Sequence, residues 1–155
     1  MLAEYAPAMS AEEVAKVVAD CKEKSVRNQN TDVYKLCYST IDLTTLTEKD
    51  SVESVGRFVK KAVDFQSVYP EIPNVASICV FPLFVDVVGL GVEGTDIGVT
   101  SVAAGFPASQ TFLEVKMLEV AMAIENGADE VDIVLNVGKM LSGNYDEAAN
   151  EVEVL

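Results

Sequence analysis

The chain contains no histidine. That removes the side chain that most often serves as a general base near neutral pH and most often ligates transition metals. Proton transfer must then fall to Asp, Glu, Lys, Tyr or Cys. Cationic side chains are scarce as well, 11 Lys and Arg against 25 Asp and Glu, for a net charge of −14. The one adjacent basic pair is Lys60 and Lys61, so no basic stripe can be assembled. DNA, RNA or an acidic membrane surface would be repelled at long range. A small phosphorylated ligand stays compatible, because a few local donors can hold a phosphate against an unfavourable overall field. Cysteine is limited to Cys21, Cys37 and Cys79. An odd number at wide spacing gives neither a disulfide framework nor a zinc pattern, which fits a reducing, cytoplasmic compartment. Residues 1–10 lack the basic and apolar regions of a signal peptide. No apolar run reaches membrane-spanning length.

What is present is a large apolar fraction, 50% of 155 residues, enough for one domain with a core. Ser10-Ala-Glu-Glu13 reads as a capping box, followed by Val14, Val17, Val18 and Cys21 at helical spacing. This predicts a helix over 10–24 and a polar loop over 25–32. The apolar run 34–43 reads as a first strand. A helix opens at 49–51, with Val52, Val55, Phe58, Val59 and Val63 on one face. A strand over 75–81 is closed by Pro82, and a short helix follows over 83–90. The Val- and Thr-rich stretch 96–103 is a third strand. Ser109 is the expected cap of the next helix, which Gly127 ends and whose broad apolar face includes Phe112, Val115, Leu118, Val120 and Ile124. A fourth strand spans 130–135, a Ser142-Gly-Asn144 loop follows, and a last helix starts at Tyr145.

Strands alternating with helices imply right-handed crossovers and a parallel sheet. Continuous apolar strands fit a sheet buried on both faces. The fold class is therefore α/β, a partial TIM (β/α)8 barrel of about four βα units preceded by an N-terminal helix. A closed eight-unit barrel needs about 250 residues. The expected organisation is an N-terminal helix and loop over 1–32, then the first half of a barrel over 33–155, truncated at the C-terminus. Glu151 and Glu153 near the end of the last helix oppose its macrodipole, which favours a helix that continues. A four-stranded sandwich complete at residue 155 is the alternative.

Strand alternation sorts the side chains into two faces. In the fourth strand Asp132, Val134 and Asn136 share one face, and Val131, Ile133 and Leu135 the other. In the first, Tyr38, Thr40, Asp42 and Thr44 oppose Ile41 and Leu43. In the second, Ser77, Cys79 and Phe81 oppose Ala76, Ile78 and Val80. The aliphatic faces suit a helix layer and the others a barrel interior. Three strands thus deliver Asp42, Cys79 and Asp132 inward. A carboxylate inside Val-Asp-Ile-Val is costly to bury unless paired or hydrogen-bonded, so Asp132 is either functional or a structural Asp bonded to amides or a lysine. Asp42 falls at the C-terminal end of its strand, where barrel active sites lie; a turn or capping role is the alternative. Cys79 reads as a small buried hydrophobe beside a site. Lys139, in the loop after the fourth strand, reads as solvent-facing. Gly89-Leu-Gly91-Val-Glu-Gly94 matches G-x-G-x-x-G, but dinucleotide binding requires a helix opening at the third glycine. A strand-like stretch follows instead, and the glycines read as a helix-to-strand loop.

At these residues the sequence resembles the deoxyribose-phosphate aldolases. The resemblance lies in Ile41-Asp-Leu-Thr-Thr-Leu46, Ala76-Ser-Ile-Cys-Val-Phe-Pro82, Ser101-Val-Ala-Ala-Gly-Phe-Pro107, Asn126-Gly-Ala-Asp-Glu-Val-Asp-Ile-Val134 and Lys139-Met-Leu-Ser-Gly-Asn-Tyr145, covering about residues 36–155. It implies a TIM-barrel class I aldolase, a carbon–carbon lyase of deoxyribonucleotide catabolism. Such an enzyme reversibly cleaves 2-deoxyribose 5-phosphate to glyceraldehyde 3-phosphate and acetaldehyde through a lysine Schiff base, with no metal or organic cofactor. By the same resemblance Asp132 is the catalytic proton donor/acceptor, Asp42 lies near the substrate with Thr44 beside it, and Cys79 lines the site. A protonated imine is an electron sink for carbon–carbon cleavage, and a carboxylate paired with lysines can shuttle the protons. The family's lysines stand in Lys-Thr-Ser-Thr-Gly and Lys-x-x-Gly-Gly stretches, and neither occurs in this sequence. These 155 residues alone are therefore expected to be inactive. A non-catalytic half-barrel, pairing with another half or with itself as a homo-oligomer, is the competing reading, and a small nucleotide-binding domain the third.

Overall fold

The computed structural model describes residues 9–155; the stretch 1–8, where the sequence lacks a signal-peptide pattern, lies outside the described residues. They form two compact units that divide after Cys37. The first holds helix α1 (Ala11–Ser25), whose capping box joins Ser10 and Glu13 reciprocally as the sequence predicts. The backbone and hydroxyl of Ser10 hydrogen-bond to Glu13 and lower its carboxyl pKa. A 3-10 turn (Val26–Asn28) follows.

Helix α2 (Thr31–Ser39) occupies most of the run predicted as the first strand. Its start is fixed by Asn30, whose side chain accepts from the Val33 amide at 3.1 Å, an N-cap interaction that outweighs the apolar character of the segment. Strand β1 is consequently only Asp42–Thr44. Asp42 thus opens the strand instead of ending it.

The second unit alternates β1, α3 (Val52–Val68), β2 (Ser77–Val80), α4 (Val85–Val92), β3 (Gly98–Ala103), α5 (Leu113–Glu125), β4 (Glu130–Ile133), α6 (Val137–Leu141) and α7 (Tyr145–Val154). The four strands pair in parallel, in the order β1-β2-β3-β4. One face packs on helices. Leu43, Ile78, Val80 and Val99 join Val55 and Val59 of α3 and Val85, Val88 and Val92 of α4, while Ala103, Val131 and Ile133 meet Val120 of α5. Sequential strand order with the helices on one face is the winding of a barrel, not of a doubly wound sheet. This supports the partial-barrel reading over the sandwich.

Three local features depart from the sequence reading. Gly89 and Gly91 lie inside α4, and only Gly94, at φ 80°, lies in the loop beyond. A Cβ on Gly91 would stand 2.5 Å from Val59 Cγ1, so the missing side chain lets α3 and α4 pack closely. Packing thereby accounts for Gly91, and the positive φ accounts for Gly94. Helix α5 starts at Leu113 with Phe112 at the cap position; Ser109 is buried, at φ 54°, and engaged with Lys116 instead. Within α5, the face expected to be apolar and buried leaves Phe112, Val115, Leu118 and Ile124 exposed, and Val120 with Ala123 buried. No helix of the described residues is long and apolar enough to cross a membrane.

Candidate active site

The face of the sheet opposite the helices carries Asp42 and Thr44 from β1, Ser77 and Cys79 from β2, Thr100 from β3, and Glu130 and Asp132 from β4. Parallel register and strand alternation place them there. All four side chains predicted for the site are therefore on one face. Thr44, Cys79 and Asp132 stand at or next to the last residue of their strands, at the end where barrel sites are built. Cys79 and Asp132 meet directly, Sγ donating to Oδ2 at 3.9 Å. The Thr44 hydroxyl donates to the Asp42 carbonyl at 2.9 Å.

Burial pushes the Cys79 thiol up to about 11, the negative charge of Asp132 adds to the shift, and a hydrogen bond with Thr44 works against it. A thiol so raised is protonated at neutral pH and serves as a wall or a donor. Asp132 itself is exposed, which corrects the expectation of a carboxylate buried within the strand. Strand β4 is the edge of the described sheet, so water reaches its inner side and the desolvation cost does not arise.

Three inner-face residues escaped the sequence reading as site members. Ser77 donates to Asp42 Oδ1 at 2.6 Å. Its oxygen lies 2.7 Å from Thr100 Oγ1, and Thr100 lies 3.5 Å from Glu130 Oε2. Ser77 and Thr100 are buried. The same period-2 alternation that selects Asp132 also selects Glu130, and applied to β3 it selects Thr100; small hydroxyls in a strand carry a weaker signal than a carboxylate.

Lys139 is on α6, not in a loop, and is not solvent-facing in the expected sense. Its ammonium pairs with Glu151 at 3.0 Å and Glu147 at 3.1 Å, and the Glu151 hydrogen bond, then that of Glu147, raises its pKa. Glu151 also accepts from Lys116 at 2.9 Å. Lys116 is fully buried, and its other partner is Ser109 Oγ at 2.8 Å. Burial pushes the Glu151 carboxyl up, but the two lysines outweigh it and the net shift is downward. Asn136 ties this cluster to the end of β4. It donates to the Ser109 carbonyl at 3.1 Å and caps α6 by accepting from the Lys139 amide. Among the described residues, no three His, Cys, Asp or Glu side chains gather as a metal site.

No protein-family model matches the chain. Curated relatives do. The deoxyribose-phosphate aldolase of Streptococcus gordonii is 36% identical over 115 residues, 74% of this chain and 48% of that protein. The deoxyribose-phosphate aldolase of Homo sapiens is 35% identical over 122 residues, 72% of this chain and 38% of that protein. Among solved structures, an aldolase designated QR15 superposes with a TM-score of 0.62 at 26% identity, covering 76% of this chain and 48% of the other. The deoxyribose phosphate aldolase of Aeropyrum pernix, described as a unique tetramer, does so with a TM-score of 0.56 at 25% identity, covering 76% and 49%. The chain spans about half the length, or less, of the curated relatives it matches. On sequence and on fold together, the chain is similar to the deoxyribose-phosphate aldolases over the part of their length that it spans.

Proposed function

We propose that the inner face of β1–β4 is the carboxylate-bearing part of an aldolase site that cleaves 2-deoxyribose 5-phosphate to glyceraldehyde 3-phosphate and acetaldehyde. Asp132 is its proton donor and acceptor, Asp42 sits near the substrate, and Thr44 and Cys79 line the site. The observation that carries this reading is the convergence of those four side chains on one face of a singly wound sheet, with Cys79 in contact with Asp132. The nucleophile would be a lysine forming a Schiff base, which lowers the barrier to carbon–carbon cleavage by accepting the electron pair. None of the 155 residues supplies that lysine. The lysines that follow β3 and β4, Lys116 and Lys139, are both engaged with Glu151, and the family's two lysine stretches do not occur. The 155 residues by themselves are thus inactive; the barrel half, expected over 33–155 after an N-terminal helix and loop over 1–32, begins instead beyond helix α2, which runs across that boundary. A cytoplasmic location belongs to the same reading, from the sparse cysteine usage.

Two measurements test it. Borohydride trapping with acetaldehyde, read by mass spectrometry, is expected to leave every lysine of the chain unmodified; a reduced adduct on any of them sinks the inactivity. A hybrid that joins residues 38–155 to the part of the Streptococcus gordonii enzyme they do not match is expected to cleave 2-deoxyribose 5-phosphate. In the hybrid, Asp132→Asn is expected to lower kcat by about 100-fold or more, within the range for a lost acid–base group. A folded, active hybrid indifferent to Asp132→Asn removes Asp132 from the reaction.

A second reading has its own observation. Phe112, Val115, Leu118, Met122 and Ile124 of the α5 region are all exposed, more apolar surface than a solvated helix normally shows. A half-barrel that pairs with another half or with itself would cover such surface. A mass by light scattering that stays that of a monomer across the accessible concentration range excludes self-pairing.

A further inference from the structure

The loop between β3 and α5 is strained, and helix α5 buries a lysine beneath it. Ala104 at φ 60° and Ser109 at φ 54° stand in the left-handed region without being glycine. Both are buried. Residues with a side chain reach that region at a steric cost and stay there only where their surroundings fix them. The loop follows the last residue of β3. It therefore stands at the end of the parallel sheet where Thr44, Cys79 and Asp132 lie.

Several elements fix it. The Gly105 amide donates to Glu119 Oε2 of α5 at 2.8 Å. The side-chain amide of Asn136, beyond β4, donates to the Ser109 carbonyl at 3.1 Å. The Lys116 ammonium donates to Ser109 Oγ at 2.8 Å and to Glu151 of α7 at 2.9 Å. Within the loop, the Ser109 amide closes on the Gly105 carbonyl at 2.8 Å. The closed loop carries Phe106, whose ring meets that of Phe81 edge-on, with centroids 6.4 Å apart. Phe81 directly follows β2, the strand of Cys79. The loop thus borders the end of β2 as well as that of β3.

Stability alone does not call for a buried ammonium. Desolvation of a buried Lys–Glu pair offsets much or all of its attraction, and an apolar side chain of similar volume is often no worse. Lys116→Met would fill much the same space and lack only the donor at the Ser109 hydroxyl. We propose that Lys116 is a positioning residue. Through Ser109 it sets the form of the β3–α5 loop, and with it the place of Phe106, at the catalytic end of the sheet. Glu151 supplies the counter-charge that allows the donor to be buried. In the aldolase reading above, on which the catalytic consequence rests, the loop is a wall that keeps substrate aligned with Asp132. Lys116 itself touches no substrate.

The competing account leaves the loop to Glu119 and Asn136, with Lys116 only filling space between α5 and α7. The two accounts part at Ser109. A lysine that only fills space can be replaced by an apolar side chain without consequence for the loop. A lysine that holds Ser109 cannot, and removing the hydroxyl then has the same effect as removing the ammonium.

The test has two arms. The first uses the 155-residue chain, needs no activity, and follows amide hydrogen exchange at position 109, with the amides of β2 and β3 as the measure of global stability. Lys116→Met is expected to speed exchange at Ser109 at least about ten-fold beyond any change in β2 and β3. Ser109→Ala, which keeps both charges, is expected to do the same at that position, and it decides by the same criterion if Lys116→Met does not fold. An amide at position 109 that changes no more than those of β2 and β3 overturns the proposal. The second arm places Lys116→Met in the hybrid described above. Borohydride trapping with acetaldehyde counts the working sites, and kcat per trapped site is expected to fall about 10- to 100-fold, the scale of a small misplacement of bound substrate. A purely structural lysine would lower the number of trapped sites and leave kcat per site unchanged, and that result also overturns the proposal. A hybrid that is inactive without any substitution counts against the aldolase reading, and exchange at position 109 then decides whether Lys116 holds the loop.

Discussion

On the inner face of the sheet, Asp42 and Glu130 are joined through hydroxyls and Asp132 touches a thiol. In the cluster of α5, α6 and α7, by contrast, Glu151 is held between two lysines. The difference follows from water. In these 155 residues Asp42, Glu130 and Asp132 are exposed, so hydration stabilises their charges there without a cation. Lys116 is fully buried, and an ammonium without water demands an anion within reach. Two of the eleven cations of this acidic chain, Lys116 and Lys139, are drawn to Glu151, where the burial of Lys116 forces pairing. Among the described residues, the remaining ion pairs lie along α3, Arg57 with Glu53 and Lys60 with Asp64. The face that carries the carboxylates has no ion pair on it.

The harshest way to break this comparison is to remove the anion from the buried side. Glu151→Gln leaves the Lys116 ammonium without a counter-charge, its acceptors reduced to the Ser109 hydroxyl and a neutral amide oxygen. Stranding a buried charge in this way is expected to lower unfolding free energy by about 3–5 kcal/mol, read from chemical denaturation. Lys116→Met is expected to cost clearly less, because it removes the buried charge and leaves Glu151 its contact with Lys139. Equal losses from the two substitutions would show that packing, not charge, dominates the cluster. The linkage has a definite sign. The folded carboxyl of Glu151 lies below its ordinary value of 4.5, so its contribution is fully present above that value and is lost as pH falls through the folded pKa. Lys139 is shifted upward, so its contribution is complete below its ordinary value of 10.5 and is lost as pH rises through the folded pKa. An acid limb below about pH 4.5 that persists unchanged in Glu151→Gln would remove Glu151 as its source.

The inner face was more legible in the sequence than the cluster. Period-2 alternation around Asp132, Cys79 and Asp42 is a local pattern, and it assigns each to the face it occupies. The parallel pairing follows from the alternation of strands with helices, and the helix layer from the aliphatic face of each strand. Lys116 and Glu151 are 35 residues apart, and no local period links them. A lysine within α5 reads from sequence as a solvated position, although it is buried. Ser109 likewise looks like a helix cap, until the loop takes it to φ 54° and turns its hydroxyl toward Lys116. The first strand was overextended because apolar character alone does not distinguish a strand from a short capped helix.

The gentlest test probes the contact between Cys79 and Asp132. With its thiol raised to about 11, Cys79 holds only ~1% thiolate at pH 9, and thiolate is the form that alkylates. Iodoacetamide is therefore expected to modify exposed Cys21 well before Cys79, with both rates read by peptide mass spectrometry. Burial is the first cause of the shift and the Asp132 charge the second. Removing that charge with Asp132→Asn is expected to quicken Cys79 alkylation only about three- to ten-fold, the equivalent of half to one pH unit, while Cys21 keeps its rate and serves as the internal reference. An unchanged Cys79 rate separates the thiol from the carboxylate electrically, and with it goes the idea that these two strands present one charged face. A rise far above ten-fold would instead assign the shift mainly to Asp132, and would mean that water reaches Cys79 more freely than its near-complete burial implies. The two outcomes bracket the quantity on which the comparison of the two regions rests, namely how much of each charge is felt through protein rather than through water.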